Sequence, residues 1–292
     1  MLDLVQEAAA ADGVGPLSEH VLLSVRYGPD KNARHVRLWD SGRLAGYGHL
    51  DPGDPADPAH GPAGELVIRP SARRRGFGHA LGRELIAEAG GRQLRLWAHG
   101  DLPAATALAE AAGFHRSRAL WQMRRPLALP LAEPQVLPGV VVRTFRVGQD
   151  EDAWVAVNHR AFARHPEQGS WTRADLELRE REPWFDPDGF FLAEREAGLA
   201  GFHWTKVHAG KAGSTATGEV YVIGVDPAEQ GSGLGRALTL IGLRYLRSRG
   251  MAEVMLYVEE TNASAIRLYE SLGFAHSATD VMFSGGDAGE RA

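Results

Sequence analysis

The chain repeats itself. When its halves are laid over one another, Leu44-Ala45-Gly46-Tyr47 matches Leu199-Ala200-Gly201-Phe202, and Leu66-Val67-Ile68-Arg69-Pro70 matches Ile223-Gly224-Val225-Asp226-Pro227. Further on, Arg75-Gly76-Phe77-Gly78-His79-Ala80-Leu81 matches Ser232-Gly233-Leu234-Gly235-Arg236-Ala237-Leu238, and Ala112-Gly113-Phe114 matches Leu272-Gly273-Phe274. The offset is 157 residues between Pro70 and Pro227 and 160 between Phe114 and Phe274, so order and spacing agree throughout. Self-similarity on this scale points to two copies of one fold. A chain of 292 residues is long enough for two domains with a core each.

Each copy reads the same way. An amphipathic helix opens it (3–11; 152–163), and strands with period-two apolar residues follow (35–39 and 44–49; 190–194 and 201–206). A buried strand (65–68; 219–225) runs into a glycine-rich turn and a helix (78–89; 235–249). Another strand (93–97; 253–258), a short helix (104–111; 263–271) and a Gly-Phe helix stop lead to a closing strand. Strand, turn, helix and strand in that order make a crossover unit with parallel pairing, so the expected class is α/β. The expected domains are 1–125 and 139–284. Between them lies a linker, 126–138, in which Pro126, Pro130, Pro134 and Pro138 each deny the backbone a donor. An ordered loop with a strand in it is the alternative, because Leu127, Leu129 and Leu131 alternate. Residues 285–292 read as a frayed tail.

Composition narrows the functions. There is no cysteine, which excludes disulfides, cysteine-ligated metals and a thiol nucleophile. Lys and Arg number 32 against 37 Asp and Glu, a net charge of −5 with no basic half, which argues against a nucleic-acid binder. No apolar run approaches the roughly 20 residues of a membrane span, and the first residues lack the pattern of a secretion signal. The expectation is a cytoplasmic monomer with small-molecule partners, no nucleic acid and no membrane. The 12 histidines are scattered without a compact ligand pattern, so no metal is expected. Trp97, Trp121, Trp154, Trp171, Trp184 and Trp204 read as core or cleft residues.

The strongest local signal is Gln230-Gly231-Ser232-Gly233-Leu234-Gly235-Arg236 between a strand and a helix. Glycines let the main chain turn its N–H groups into one concavity, and the helix start adds partial positive charge, which suits a pyrophosphate. It is neither a P-loop nor a G-x-G-x-x-G dinucleotide turn. The first copy carries Arg73-Arg74-Arg75-Gly76-Phe77-Gly78 in this place, with three cations that suit phosphate or a solvated face. By themselves these glycines serve a tight strand-to-helix turn equally well.

The wider pattern goes further. Gln230-x-x-Gly233-x-Gly235, preceded by Val225-Asp226-Pro227 and followed by Asn262, Tyr269-Glu270 and Leu272-Gly273-Phe274, resembles the acetyl-CoA-binding core of the GNAT acetyltransferases. Both halves carry it, which implies two tandem GNAT-like domains, each a mixed, mostly antiparallel sheet flanked by helices. In the second half, His165-Pro166-Glu167-Gln168-Gly169, Gly201-Phe202-His203-Trp204-Thr205-Lys206, the segment from Gly218 to Pro227, and Tyr257-Val258-Glu259 resemble the mycothiol synthase family. That family acetylates the cysteinyl amine of Cys-GlcN-Ins with acetyl-CoA.

Acetyl transfer to an amine needs a neutral nucleophile, a polarised thioester and a proton for the departing thiolate. Glu219, at the start of the strand that enters the glycine turn, is the expected general base, directly or through water; its alternative is a surface carboxylate. The resemblance makes Tyr269 the acid facing the CoA sulfur; on spacing alone it is equally a core aromatic. Backbone N–H groups of Ile223, Gly224 and Val225 are candidates for pantetheine binding, with Gly224 marking either a bulge, a close ligand approach or packing. Asn262 is expected to cap its helix and, with Ala263, Ser264, Ala265, Ile266 and Arg267, to contact CoA. In the first copy Leu66, Val67, Ile68 and the cradle Arg74, Arg75, Gly76, Phe77, Gly78 and His79 are the matching coenzyme contacts. The resemblance carries acceptor contacts onto Glu19, Glu167, Lys206, Glu219 and Tyr257, so that a polyhydroxylated aminosugar–inositol cysteine conjugate would meet strong charge-assisted hydrogen bonds. If Glu19 takes part, the site draws on both copies.

The duplication also tests which copy reacts. The offset of 157 places Pro62 opposite Glu219, and that of 160 places Ala109 opposite Tyr269 and Leu102 opposite Asn262. Glu65 falls opposite Val222 and, on a regular strand, faces away from the position of Glu219. The first copy is therefore expected to hold acetyl-CoA without turning it over. Two alternatives stay open: a tandem enzyme for another amine, such as an aminoglycoside or a peptide N-terminus, and a non-catalytic acyl-CoA sensor.

Overall fold

Alternating apolar residues and the glycine turns produce two sheets' worth of short strands, seen in a computed structural model that describes residues 1–28, 32–54, 61–163, 165–210 and 216–286. The chain divides into two units, Met1–Trp121 with Ala278–Ala292, and Gln122–Ser277.

The first unit opens with α1 (Leu2–Asp12) and α2 (Glu19–Tyr27), the latter capped by Ser18, whose side chain accepts from the Val21 N–H. Strands β1 (Arg34–Asp40), β2 (Arg43–Asp51) and β3 (Ala63–Ile68) pair antiparallel. After the turn, α3 (Phe77–Glu88) crosses over to β4 (Leu94–Ala98), which runs parallel to β3. Then come α4 (Pro103–Ala111) and β5 (His115–Pro126).

The second unit repeats this plan. Strand β6 (Val141–Thr144) precedes α5 (Glu151–Ala161), α6 (Pro166–Gly169) and α7 (Arg173–Glu180); β7 (Phe190–Arg195), β8 (Gly198–His208) and β9 (Thr217–Val225) pair antiparallel. Helix α8 (Leu234–Ser248) crosses to β10 (Glu253–Glu259), parallel to β9, and α9 (Ala263–Ser271) leads to β11 (Ala275–Gly285). The mixed, mostly antiparallel architecture expected for each copy is present. Helix α8 illustrates why: Leu234, Ala237, Leu240, Leu243 and Leu246 at three-residue steps, and Leu234, Leu238, Gly242 and Leu246 at four-residue steps, are buried on a helix that lies against β8 and β9.

The unit boundaries differ from the expected 1–125 and 139–284. Residues 278–285 of β11 belong to the first unit, where Val281–Gly285 pair antiparallel with β4, and residues 122–126 of β5 belong to the second. Strand pairing across more than a hundred residues leaves no local trace, and aligning repeats by order conceals such an exchange. The proline-rich segment forms no helix or strand after Pro126, but it is docked rather than free. Leu127 is buried and donates its N–H to the Ala252 carbonyl, while the Arg125 guanidinium donates to the carbonyls of Leu129 and Pro130. The expected tail starts inside β11, and its residues 287–292 lie outside the described part.

Strand β9 carries the one irregularity that matters for the site. Trp204 faces Val222 but Thr205 faces Val220, so Tyr221 is bulged out of register. Tyr221 and Val222 both pack on the aromatic core around Trp154, Phe190, Phe202 and Trp204. The side-to-side alternation therefore restarts between Glu219 and Val222, so that Val222, the counterpart of Glu65, shares a face with Glu219 instead of facing away as expected. Gly224 is not the bulge. It pairs with Phe202, and a Cβ there would come 2.7 Å from that ring, so packing accounts for this glycine.

Each unit also buries a histidine that cannot afford its charge. Burial pushes His49 on β2 and His203 on β8 down to about 4, so both are neutral where the unfolded imidazole, near 6.5, is protonated. Because the unfolded chain binds the extra protons, stability is intact above 6.5 and falls as pH drops towards 4, by up to about 3 kcal/mol per residue. Urea midpoints should therefore fall between roughly pH 7.5 and pH 5, and His49→Leu should flatten that slope; an unaltered slope would contradict a buried neutral His49.

Candidate active site

The turn after β9 is built from its own side chains. Asp226 accepts from the Ala228 N–H at 3.0 Å and from Arg160 Nε at 2.6 Å, while Ser232 Oγ donates to the Glu229 carbonyl at 2.6 Å. Gly231 and Gly233 have φ of +79° and +93°, values that an L side chain would strain to adopt, and nothing lies within 4 Å of a Cβ built on either. The turn leads into the first-turn N–H groups of α8, the kind of helix start that suits an anion; of these, the Leu234 N–H meets Ser232 Oγ at 3.4 Å. Leu234 is buried in the core, so within this motif it offers backbone only; Gln230 and Arg236 are exposed.

The equivalent turn in the first unit keeps the geometry with different chemistry. Gly76 has φ +82° and Arg74 has φ +61° where the second unit has glycines. Arg73 is locked by a two-pronged bond to Asp12 at 2.6 and 2.7 Å, and Arg75 pairs with Asp40 at 2.7 Å and lies over the Phe77 ring. Two of the three expected cations are thus already neutralised by carboxylates.

In each unit the parallel strands part company just before the turn. The β9–β10 register ends at Val220 with Leu256, and the β3–β4 register ends at Glu65 with Trp97. Glu219 sits at this point in the second unit. It is buried, faces Lys206 on β8 and Met255 on β10, and its Oε2 lies 2.6 Å from His208 Nε2. Lys206 is also buried, its ammonium held 4.1 Å from the Trp184 ring and 4.7 Å from the Tyr221 ring. Arg179 donates from Nε to the Tyr221 hydroxyl at 2.8 Å and stacks 3.7 Å from the Trp171 ring. The bulge thus sets Tyr221 between Lys206 and Arg179.

The remaining residues expected to matter are distributed as follows. Tyr257 on β10 is exposed and accepts from Gln122 Nε2 at 2.9 Å. Glu167 lies in α6, its side chain outside the described part, and α6 is fixed to α5 by reciprocal Asn158–Gln168 bonds. Glu19 is the first residue of α2 in the first unit. Asn262 caps α9, accepting from the Ala265 N–H at 3.1 Å; Ala263, Ser264 and Arg267 are exposed beside it, whereas Ile266 points into the core. Tyr269 on α9 is buried edge-on to Phe274, and burial pushes its phenol up to about 12, so it keeps its proton at neutral pH. Sequence reasoning missed His208, Tyr221 and Arg179. His208 was within reach, two residues beyond Lys206 on the same strand.

In the first unit, Ala109 occupies α4 where α9 has Tyr269, and Pro62 precedes β3. Glu65 is buried, accepts from the Ser18 N–H at 2.6 Å and lies 3.5 Å from His99 Nε2; His99 Nδ1 is 2.9 Å from Asp280. Burial opposes charge on His99, but the two carboxylates prevail and push it up to about 10. His99 is an imidazolium, and Glu65 is already neutralised by it. Among the described residues no group of three or more His, Cys, Asp or Glu is arranged to hold a metal ion, and no helix is long and apolar enough to cross a membrane.

Two parallel-strand splays, each beside a glycine turn, match what comparison with known proteins returns: residues 6–114 and 154–274 both fit the Acetyltransferase (GNAT) family. The chain belongs to the GNAT acetyltransferase family. It is an acyltransferase with two GNAT domains. Among relatives, mycothiol acetyltransferase of Thermobispora bispora is 58% identical over 97% of this chain and 94% of its own length, and that of Acidothermus cellulolyticus is 57% identical over 97% and 89%. Among solved structures, a GCN5-related N-acetyltransferase from Sphaerobacter thermophilus superposes with a TM-score of 0.67 at 25% identity over 97% of this chain and 90% of its own. A tandem GNAT protein from the clavulanic acid biosynthesis pathway shares the fold, with a TM-score of 0.69 at 23% identity, over 100% of this chain and 94% of its own.

Proposed function

We propose that this chain transfers acetyl from acetyl-CoA to the cysteinyl amine of Cys-GlcN-Ins, completing mycothiol, and that the second unit does the chemistry. The observation that carries this reading is Glu219, a buried carboxylate beside Lys206 and His208 at the strand splay. The near-full-length identity to enzymes named mycothiol acetyltransferase supports the acceptor. In this reading the turn 230–236 would grip the coenzyme diphosphate, the N–H groups of 223–225 would bind the pantetheine, and the Asn262 turn would flank it.

Glu219 takes a proton from the acceptor ammonium, and the neutral amine attacks the thioester carbonyl. Tyr269 gives its proton to the departing sulfur. A phenolate in that buried place would be as poorly solvated as the thiolate, so Tyr269 must recover a proton from the new amide nitrogen as it donates. Lys206, Glu167 and Tyr257 serve a hydroxylated, cationic acceptor. The first unit would hold acetyl-CoA without turnover, because Ala109 has no proton to give and Glu65 is occupied by His99.

Thiol release from acetyl-CoA tests the acceptor. Cys-GlcN-Ins should give a kcat/KM at least about 100-fold above a peptide N-terminal amine or an aminoglycoside, since a site built to bond many hydroxyls rejects acceptors that leave it unpaired. Equal rates would leave a tandem GNAT enzyme of another specificity, and no release with any amine would favour a sensor.

A further inference from the structure

Acetylation of an ammonium yields an amide, a thiol and one proton in excess. Of the two protons the nitrogen loses, one ends on sulfur and the other must leave the site. In the reading above, on which this inference rests, that second proton lands on Glu219, whose side chain is only 9% exposed. The same carboxylate lies 2.6 Å from His208 Nε2, and the His208 side chain is 38% exposed at the outer end of β8.

We propose that His208 is a positioning residue that holds Glu219 and carries its proton to water. While Glu219 is ionised, an N–H of the ring donates to it and fixes its rotamer. Once Glu219 is protonated, the ring, which exchanges tautomers through the water it touches, presents its Nε2 lone pair, accepts the proton and becomes imidazolium. It then releases one proton to solvent, restoring both groups. Among the described residues, the other charged or titratable groups beside this pair include Lys206, Tyr221 with the Arg179 that donates to its hydroxyl, the Arg124–Glu253 ion pair and Tyr257. Lysine and arginine have no lone pair to accept a proton, and Glu253 is tied to Arg124. Imidazole is the side chain suited to shuttling near neutral pH.

His208→Gln preserves a hydrogen-bond donor of similar reach but cannot shuttle. At saturating acetyl-CoA and Cys-GlcN-Ins it should lower kcat about tenfold or more with KM for acetyl-CoA unchanged, and imidazole buffer should raise kcat of His208→Ala in proportion to its concentration while leaving the intact enzyme unaffected. His208→Gln running at full kcat across the pH profile, or a loss in His208→Ala that imidazole does not relieve, overturns the relay. Glu219→Gln, assayed alongside, separates the two readings. If it is slow while His208→Gln is not, the relay alone fails; if it is as fast as the intact enzyme, the base assignment fails and takes the relay with it.

Discussion

Glu219→Gln should cut kcat for acetyl transfer by about 10²–10⁴-fold, the usual worth of a positioned general base. Glutamine keeps the volume and can still bond His208, so the strand and the bulge beside it should remain intact. What it cannot do is accept a proton. The loss should shrink as pH rises through the acceptor amine's own range, about 7.7–8.0 for an α-amino group, because solution then supplies the neutral nucleophile that Glu219 otherwise makes. Initial rates of thiol release at saturating substrates, followed from mildly acidic to alkaline pH, check both the size and the slope. A uniform loss at every pH would mean that Glu219 only binds the acceptor. The same variant exposes the first unit: with the second silenced, any residual turnover is the most the first can contribute, and it should be negligible given Ala109 and the His99–Glu65 ion pair. A fragment ending at residue 125 would not be a fair test, because the first unit includes residues 278–285 of β11.

Trp154→Ala should cost about 4 kcal/mol and lower the melting temperature of the chain by roughly 10 °C. Trp154 is fully buried on α5 and meets Phe190, Phe202 and Trp204 at ring-centroid separations of 5.7, 5.2 and 5.9 Å, edge to face in each case. Truncation removes these contacts and leaves a cavity that the stacked Phe190 and Trp204 rings cannot close without giving up their own packing. The effect should reach function. Trp204 supports Tyr221 and Trp184, which hold Lys206, so the surviving folded enzyme should show a raised KM for the acceptor with less change in KM for acetyl-CoA. Calorimetry and steady-state kinetics on Trp154→Ala and Trp154→Phe check this, with Phe expected to retain most of the stability. A loss below about 1 kcal/mol for Trp154→Ala would mean that the core repacks around the gap.

What could be read from residues alone was the part in which neighbours in sequence are neighbours in space. The glycine turns, the Asn262 cap, Tyr269 on its short helix and the absence of its counterpart at Ala109 all follow from spacing within one strand–turn–helix unit, where left-handed φ, capping and helical periodicity act over a few residues. The repeat established two copies of one fold, and the family match makes both of them GNAT domains. Three decisions needed the folded chain. The exchange of closing strands joins 278–285 to the first unit and 122–126 to the second, because backbone pairing is indifferent to sequence distance. The bulge at Tyr221 resets which face Glu219 occupies, since one unpaired residue inverts every side chain beyond it. The Glu65–His99–Asp280 cluster draws on residues far apart in the chain, and its charge state depends on burial, which no spacing encodes.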